Sequence, residues 1–515
     1  MLKTLGIRLV VLLVLLPILW SSCRKDFEYS PSAGNLEFSK DTVYLDTIFS
    51  KISSSTYSLK VYNRSKKDLL VPRIELKGGI GSSYRLNVDG VAGSTFFDIP
   101  ILAKDSIYIF IENTLDITET AQKEYLSTDA IVFDSGANLQ QVELVTLIRD
   151  AVFLFPGKFK NGPGASFSLP AENGTSSQIE GFVLPEGQLD FTNQKPYVIY
   201  GYATVGPDKT LLMDAGTRVY FHKNSGLIIG KDAALKINGA LSEDDTFLEN
   251  EVILEGDRLE RTFADVPGQW GSIWLTSESR AVEINYLTIR NATTGLLVEG
   301  NDSANTPTLT IKNTKIYNSS HSNLWARTGT INGENLVLGN AGNSSLKCEI
   351  GGSYTFTHCT IGNYFSSGFR LGPALQISNY QILNTGEISI KNLKKATFEN
   401  CIITGSTTNE LSLMSETSSM FTIYFNHSLI TSNPNTIDQG NPNYNFNNDT
   451  IYRNIILNQN SDFKDTSKNE FNIGFNSAGI GKGAINKALM VPLDILGFDR
   501  TNAPDLGAYQ FIEEN

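Results

Sequence analysis

Apolar and polar positions alternate with a period of two along most of this chain, and helical spacing is rare, so strands are the expected elements. In the first third the alternating runs are "DTVYLDTIF" from Asp41, "STYSLKVYN" from Ser55, "DSIYIFIEN" from Asp105 and "QQVELVTLI" from Gln140. Turn material ("NRSKKD", "KGGIGSS", "NVDGVAG") separates them. Short strands at this spacing predict a β-sandwich over residues 33–152, a usual size for one domain.

In the second half the pattern repeats. "FTHCTIGN" from Phe356 has close relatives in "IKNTKIYN" from Ile311, "GENLVLGN" from Gly333, "ISNYQILN" from Ile377, "FENCIITG" from Phe398, "FNHSLITS" from Phe425 and "YRNIILNQ" from Tyr452, with "INYLTIRN" from Ile284 as a looser eighth. Starts lie 21 to 27 residues apart, which predicts a solenoid. The sixth position is always aliphatic (Ile289, Ile316, Leu338, Ile361, Ile382, Ile403, Ile430, Leu457), as stacked strands sharing a core require. The third position reads Tyr286, Asn313, Asn335, His358, Asn379, Asn400, His427, Asn454. Asn tolerates the left-handed backbone of a tight bend, and its amide can bond the copies above and below. A second strand is expected to turn Leu296, Leu324, Leu346, Phe369, Ile390 and Leu411 inward, together with Val298, Ala326, Cys348, Leu371 and Leu413.

This ladder resembles that of right-handed parallel β-helices such as pectate lyases. The resemblance implies an all-β chain: a β-sandwich, then a right-handed parallel β-helix over 201–460, with 153–200 as linker and cap and 461–515 as a closing segment. "TLLMDAGTRVYF" from Thr210 and "GLIIGKDAALKINGAL" from Gly226 fit opening turns. "PGQWGSIWL" (Pro267 to Leu275) and the ending "LDILGFDRTNAPDLGAYQF", through Asp494, Gly497, Arg500, Asp505, Gly507 and Tyr509, are similar to stretches of bacterial β-helix surface proteins. "SYRLNVDG" and "KDSIYIF" resemble the immunoglobulin-like domains that follow the lipid anchor in Gram-negative surface lipoproteins.

The N-terminus agrees with that resemblance. Lys3 and Arg8 precede an apolar run from Leu9 to Trp20, too short to span a bilayer and suited to a signal peptide over 1–22. Ser21-Ser22-Cys23 resembles a lipobox, with Trp20 where Leu is usual; Cys23 would then carry lipid at the head of a 23–32 linker. Lys25-Asp26 resembles a signal for the outer face. The expected location is the outer membrane of a Gram-negative bacterium, surface-exposed, with the membrane as a partner through the lipid.

Charge and composition narrow the chemistry. A net charge of -12 argues against nucleic acid as a partner. Three cysteines remain (Cys348, Cys359, Cys401), with no CxxC and no zinc spacing, and all three are expected in the core. Cys359 and Cys401, with Tyr380 between them in their column, are expected about 10 Å apart, beyond disulfide reach. The acidic "SEDDTFLENE" (Ser242 to Glu251) suits Ca²⁺ or, more simply, a solvated loop; no cofactor is expected. His222, His321, His358 and His427 lack the Gly-His-Gly and clustered aspartates by which β-helix hydrolases resemble one another. Outward positions of the second strand read Leu297, Trp325, Lys347, Arg370 in one column and Glu299, Arg327, Glu349, Gly372 in the next. Trp325 suits stacking on a sugar, and Arg327, Lys347 and Arg370 suit uronic or sulfated groups, with Glu349 beside them. A cross-strand ion ladder under a covering loop is the structural alternative. Glu299 and Glu349, about 10 Å apart around Arg327, make a poor inverting pair. The expected function is therefore non-catalytic binding of a polysaccharide or another surface partner. A polysaccharide lyase or glycosidase is the enzymatic alternative, and an adhesive stalk the structural one. Finally, Ile402, Leu429 and Ile456 form an outward apolar stripe, which the chain after Ser461 is expected to cover.

Overall fold

A computed structural model describes residues 28–118, 123–157, 165–300, 308–433 and 440–513. The signal-peptide and Cys23 expectations fall outside the described residues. The chain is nearly all β and divides into two compact units, Met1–Arg149 and Asp150–Asn515.

The first unit packs two sheets face to face. One holds Ser30–Pro31, Leu69–Leu76, Glu124–Phe133, Gln140–Arg149 and Thr42–Phe49, with Thr95–Ile101 paired to Leu69–Leu76; the other holds Glu37–Phe38, Tyr57–Tyr62, Ser106–Asn113, Tyr84–Val88 and Val91–Gly93. Alternation puts Val43, Leu59, Val61, Val71, Ile74, Ile109, Ile111, Val142 and Leu144 into one core. The chain enters and leaves this unit at opposite poles. Ser32 sits on Leu70 and Asp134, where Glu124–Phe133 ends, whereas Arg149 faces Glu124, where that strand begins. Ten strand residues, about 33 Å, separate the two levels.

The second unit is a stack of turns whose strands pair in parallel. Two long sheets result, of nineteen and ten strands. The repeat is visible in the pairing: Ile284 faces Ile311, then Gly333, Phe356, Phe398, Phe425 and Tyr452 in succession. The sixth column runs through Ile289, Ile316, Leu338, Ile361, Ile403, Ile430 and Leu457. Inside the core Phe356, Phe398, Phe425 and Tyr452 stack at 5.3, 5.1 and 5.4 Å, close to the strand spacing.

One expected copy is missing from this column. "ISNYQILN" from Ile377 does not form a rung; Phe356 is followed directly by Phe398, 42 residues on. Ile377 belongs to the other sheet, between Cys348 and Leu413. Leu375 takes the place expected for Phe369, between Leu346 and Leu411. Phe369 and Leu371 are instead 95% and 82% exposed, and Ile382 and Ile390 lie on an inserted hairpin, Tyr380–Ile382 with Ile388–Ile390. The pattern misled because few of its eight positions are constrained, and the end of a second-sheet strand followed by the inserted hairpin supplied residues of the right type at them. With that copy gone, Cys359 and Cys401 become neighbours on adjacent turns rather than next-nearest, both fully buried and free.

The ladder follows the same correction. Tyr286, Asn313, Asn335, His358, Asn400, His427 and Asn454 all hold left-handed backbone, with φ between 46° and 56°, whereas Asn379 does not. Asn379 instead holds a loop through Glu416, accepting its N–H and donating to its carbonyl. Asn335 donates to Asn313 and Asn313 to Asn285, both at 2.9 Å; Asn400 lies 2.9 Å from His358 Nε2, and Asn454 lies 3.3 Å from His427 Nε2.

The stack starts before residue 201: Val152–Leu154 already pairs with Tyr197–Ile199. At the other end, the tail covers the Ile402, Leu429 and Ile456 stripe as expected, with Phe463, Ile473, Ile480, Leu506 and Phe511. Arg500 is buried there and donates to the carbonyls of Gly507 and Ala508. Asp494 and Asp505 accept backbone N–H groups around it. The acidic run is a loop whose last member turns inward: Glu251 forms a buried ion pair with Lys315 at 2.6 Å and accepts from Thr288.

His358 is buried, and burial, then the nearby Arg500 charge, push its imidazole well below its ordinary range. A depressed histidine is neutral when folded but protonates when unfolded, so its contribution is lost as pH falls below about 6.5. In His358→Asn the drop in melting temperature between pH 7 and pH 5 should shrink; an unchanged drop would contradict the assignment.

Candidate functional site

The ten-stranded sheet carries the outward column that the sequence singles out. Ile228, Trp274, Leu297, Trp325 and Lys347 stand on consecutive strands, followed by Gln376 and Ser412. Beside Leu297, Trp325 and Lys347 stand Glu299, Arg327 and Glu349. Arg370 and Gly372 lie outside both columns. The Arg370 guanidinium instead pairs with the buried Glu410 and binds the carbonyls of Asn363 and Gly372. It thereby pins the loop that pushes Phe369 and Leu371 outward.

This face is roofed. Strand Ser176–Val183 joins the sheet at Gly181–Val183, and its hairpin partner Ala165–Pro170 pairs with it alone. The hairpin lies over the column, so that Phe167, Leu169 and Ile179 pack on Tyr202, Ile228, Trp274, Leu297 and Trp325. Its tip reaches the turns of His321 and Lys347, five strand steps from Tyr202–Val205, about 24 Å across the sheet. There it meets the inserted hairpin: Asn384 donates to the carbonyl of Asn173 at 2.8 Å. Two departures from the repeat thus touch tip to tip over one face.

Under the roof the charges are paired. Trp274 Nε1 donates to Glu299 at 3.0 Å and Trp325 Nε1 to Glu349 at 3.1 Å. Arg327 bridges Glu299 at 3.2 Å and Glu349 at 3.8 Å and donates to Gln381 of the inserted hairpin at 3.0 Å. Lys347 lies 3.3 Å from Glu349 and 4.9 Å from the centre of the Trp325 ring. Trp325 and Lys347 are only 3% and 4% exposed, so neither presents an open face to solvent. The covering element and the ion ladder are both present. At the hairpin tip the roof contributes Glu172, 3.0 Å from His321 Nε2 and 2.9 Å from Lys347 Nζ.

Between the hairpin and the sheet runs a cleft of about 730 Å³. Tyr202, Leu297 and Trp325 supply its apolar wall; Ser177, Gln178, Lys223, Asn224, Thr293 and Thr294 supply hydroxyl, amide and amine groups; among the described residues Glu180 is its one carboxylate. Among the described residues no three His, Cys, Asp or Glu side chains gather at metal-binding distance.

Sequence reasoning brought Trp325, Arg327, Lys347 and Glu349 together correctly, misplaced Arg370, and missed Trp274, Tyr202, Glu172, His321 and Gln381. Trp274 was within reach, because extending the Leu297 column one turn back arrives at it. Glu172 carried no local signal: its partner His321 is 149 residues away.

No family model matches the chain, and no curated protein does. Among solved structures it is similar to the ASH/PapD-like domain of human CEP192 (PapD-like domain 7), at 11% identity and a TM-score of 0.16, over 24% of this chain and 89% of that one. It is also similar to the periplasmic chaperone SfaE (14%, TM-score 0.14, 22% and 57%) and to a family 123 glycoside hydrolase from Clostridium perfringens (6%, TM-score 0.16, 23% and 30%). None of these likenesses carries the functional argument.

The Glu172 carboxyl is held down to about 2, first by the hydrogen bond to His321 and then by Lys347, against the effect of burial. Its contribution to docking the tip is present above about pH 4.3 and lost as pH falls toward 2. In limited pepsin digestion, the added protection of residues 165–183 in wild type over Glu172→Gln should vanish as pH is lowered from 4.5 to 2. A difference that persists at pH 2 would show that another contact holds the tip.

Proposed function

We propose that this chain is a lipid-anchored outer-membrane surface protein whose second unit, a right-handed parallel β-helix, binds a saccharide chain in the roofed cleft without chemical conversion. The cleft carries the reading. Its size suits a few sugar rings. Hydroxyl, amide and amine groups along its walls match the hydroxyls that a sugar offers for hydrogen bonding. Catalysis of glycoside cleavage ordinarily needs two carboxyl groups flanking the bond, and among the described residues Glu180 is the one carboxylate lining the cleft. Glu299 and Glu349 are occupied by indole N–H groups and Arg327. The sandwich serves as a spacer, a role supported by a chain that enters at one pole and leaves at the other. The in-register parallel pairing and the left-handed Asn positions support the β-helix; the lipobox-like Ser21-Ser22-Cys23 supports the anchor.

Thr293 is exposed on the cleft wall, so Thr293→Trp fills the cleft while leaving the core alone. On a panel of polysaccharides scored for binding and for ultraviolet-absorbing lyase products, wild type should retain at least one polymer and release no product. Thr293→Trp should bind that polymer at least tenfold more weakly. Product release would favour the enzyme, and equal binding by the variant would move the site elsewhere. Separately, Cys23→Ser should shift the protein from the membrane to the soluble fraction of cells; unchanged membrane retention would remove the anchor.

A further inference from the structure

Three donors from the stacked turns converge on a single oxygen. Glu172 Oε1 lies 3.0 Å from His321 Nε2 and accepts from Asn343 Nδ2 at 3.1 Å and Lys347 Nζ at 2.9 Å. The three donors stand on the sheet and the bends beside it, whereas the carboxylate is delivered by a hairpin tip from far away in sequence. Lys347 is almost wholly buried and has one other carboxylate near, Glu349, which is shared with Arg327 and Trp325. A buried cation demands an anion. Nothing in the stack demands that this anion be Glu172, whose side chain is still 44% exposed.

The place adjoins the cleft through Trp325. Trp325 lines the cleft, and its ring lies 5.1 Å from that of His321 and 4.9 Å from Lys347 Nζ. Close by, His321 Nδ1, Arg327 Nε and Gln381 Nε2 are buried without a hydrogen-bond partner among the described residues. The cradle is thus an anion site separated from a ligand-sized groove by the Trp325 ring and filled from within.

We propose that His321, Asn343 and Lys347 form a carboxylate-binding subsite of the cleft, and that Glu172 is its internal occupant, displaced by the carboxylate of an acidic saccharide. This rests on the saccharide reading of the cleft. The exchange is non-covalent and conserves charge: a uronate carboxylate takes over the three donors, its ring lies toward Trp325, and Glu172 passes into water as the hairpin tip lifts. A neutral sugar cannot make the exchange, because it would leave Lys347 short of an anion. A tethered occupant competes at an effective concentration on the order of millimolar, so its removal strengthens the external ligand.

The test uses the full chain, with sodium glucuronate, glucose and sodium acetate as probes in calorimetric titration, and hydrogen exchange of residues 165–183 as a second measurement. Glu172→Ala should bind glucuronate at least tenfold more tightly than wild type, and Lys347→Met should bind it at least tenfold more weakly. In wild type, glucuronate should raise exchange in 165–183 and glucose should not. Equal affinity of wild type and Glu172→Ala for glucuronate would overturn the proposal. Acetate binding as tightly as glucuronate would overturn its saccharide part. Binding of a neutral polysaccharide with no response to glucuronate would overturn the exchange and leave the cleft reading standing. Failure of both wild type and Glu172→Ala to bind any saccharide, neutral or acidic, would overturn both.

Discussion

The second unit depends on one constraint: each turn must lie on the last in register, about 4.8 Å away. Every inward position then meets its own kind above and below. That is why the first column can hold a file of aromatic rings from Phe356 to Tyr452 and the sixth a file of Ile and Leu. The same constraint forces the chain through a sharp bend at a fixed place in each turn, with left-handed backbone that most residues resist. Asn meets the cost at Asn313, Asn335, Asn400 and Asn454, and returns some of it through amide bonds between turns. His358 and His427 can stand in the same bend because a ring nitrogen faces the neighbouring amide.

A regular stack buries its own needs and presents a plain exterior, so distinctive chemistry arises where regularity fails. Two insertions fail it here. The hairpin of residues 165–183 leaves the sheet edge and lies across the face; the hairpin of residues 380–390 lengthens one turn to 42 residues and reaches back to meet it. Between them they convert an outward strip of Trp, Lys, Arg and Glu into a roofed and paired interior. A strip that would be costly to bury unpaired becomes tolerable because each carboxylate receives an indole N–H and a cation.

The pattern of the chain disclosed much of this and misled at one point. Seven of the eight repeat copies stack as their spacing implies, and the apolar stripe at Ile402, Leu429 and Ile456 rightly announced a cover. The false copy at Ile377 came from a motif with few constrained positions; it puts Asn379 in the ladder, Ile390 in the core and Cys359 one turn too far from Cys401, while a longer connection after Asn363 separately moves Phe369, Arg370 and Leu371 out of the second strand. A single register error propagates this way in any stacked fold, because each turn is located only by its neighbours.

Sequence alone determined what repeats: the β class, the period, the inward columns, the Asn bends and the pairing of Trp325, Arg327, Lys347 and Glu349 on one strip. Those follow from residue types at fixed spacing, and spacing within a strand or between adjacent turns is a local quantity. Only the tertiary structure decided what covers that strip, and hence whether Trp325 faces water, a hairpin or a ligand. Glu172 lies more than a hundred residues from His321 and Lys347, in a segment with no periodic neighbour to fix its place. Its position is set by where a hairpin tip comes to rest, through one carboxylate and three donors, and no periodicity encodes that meeting.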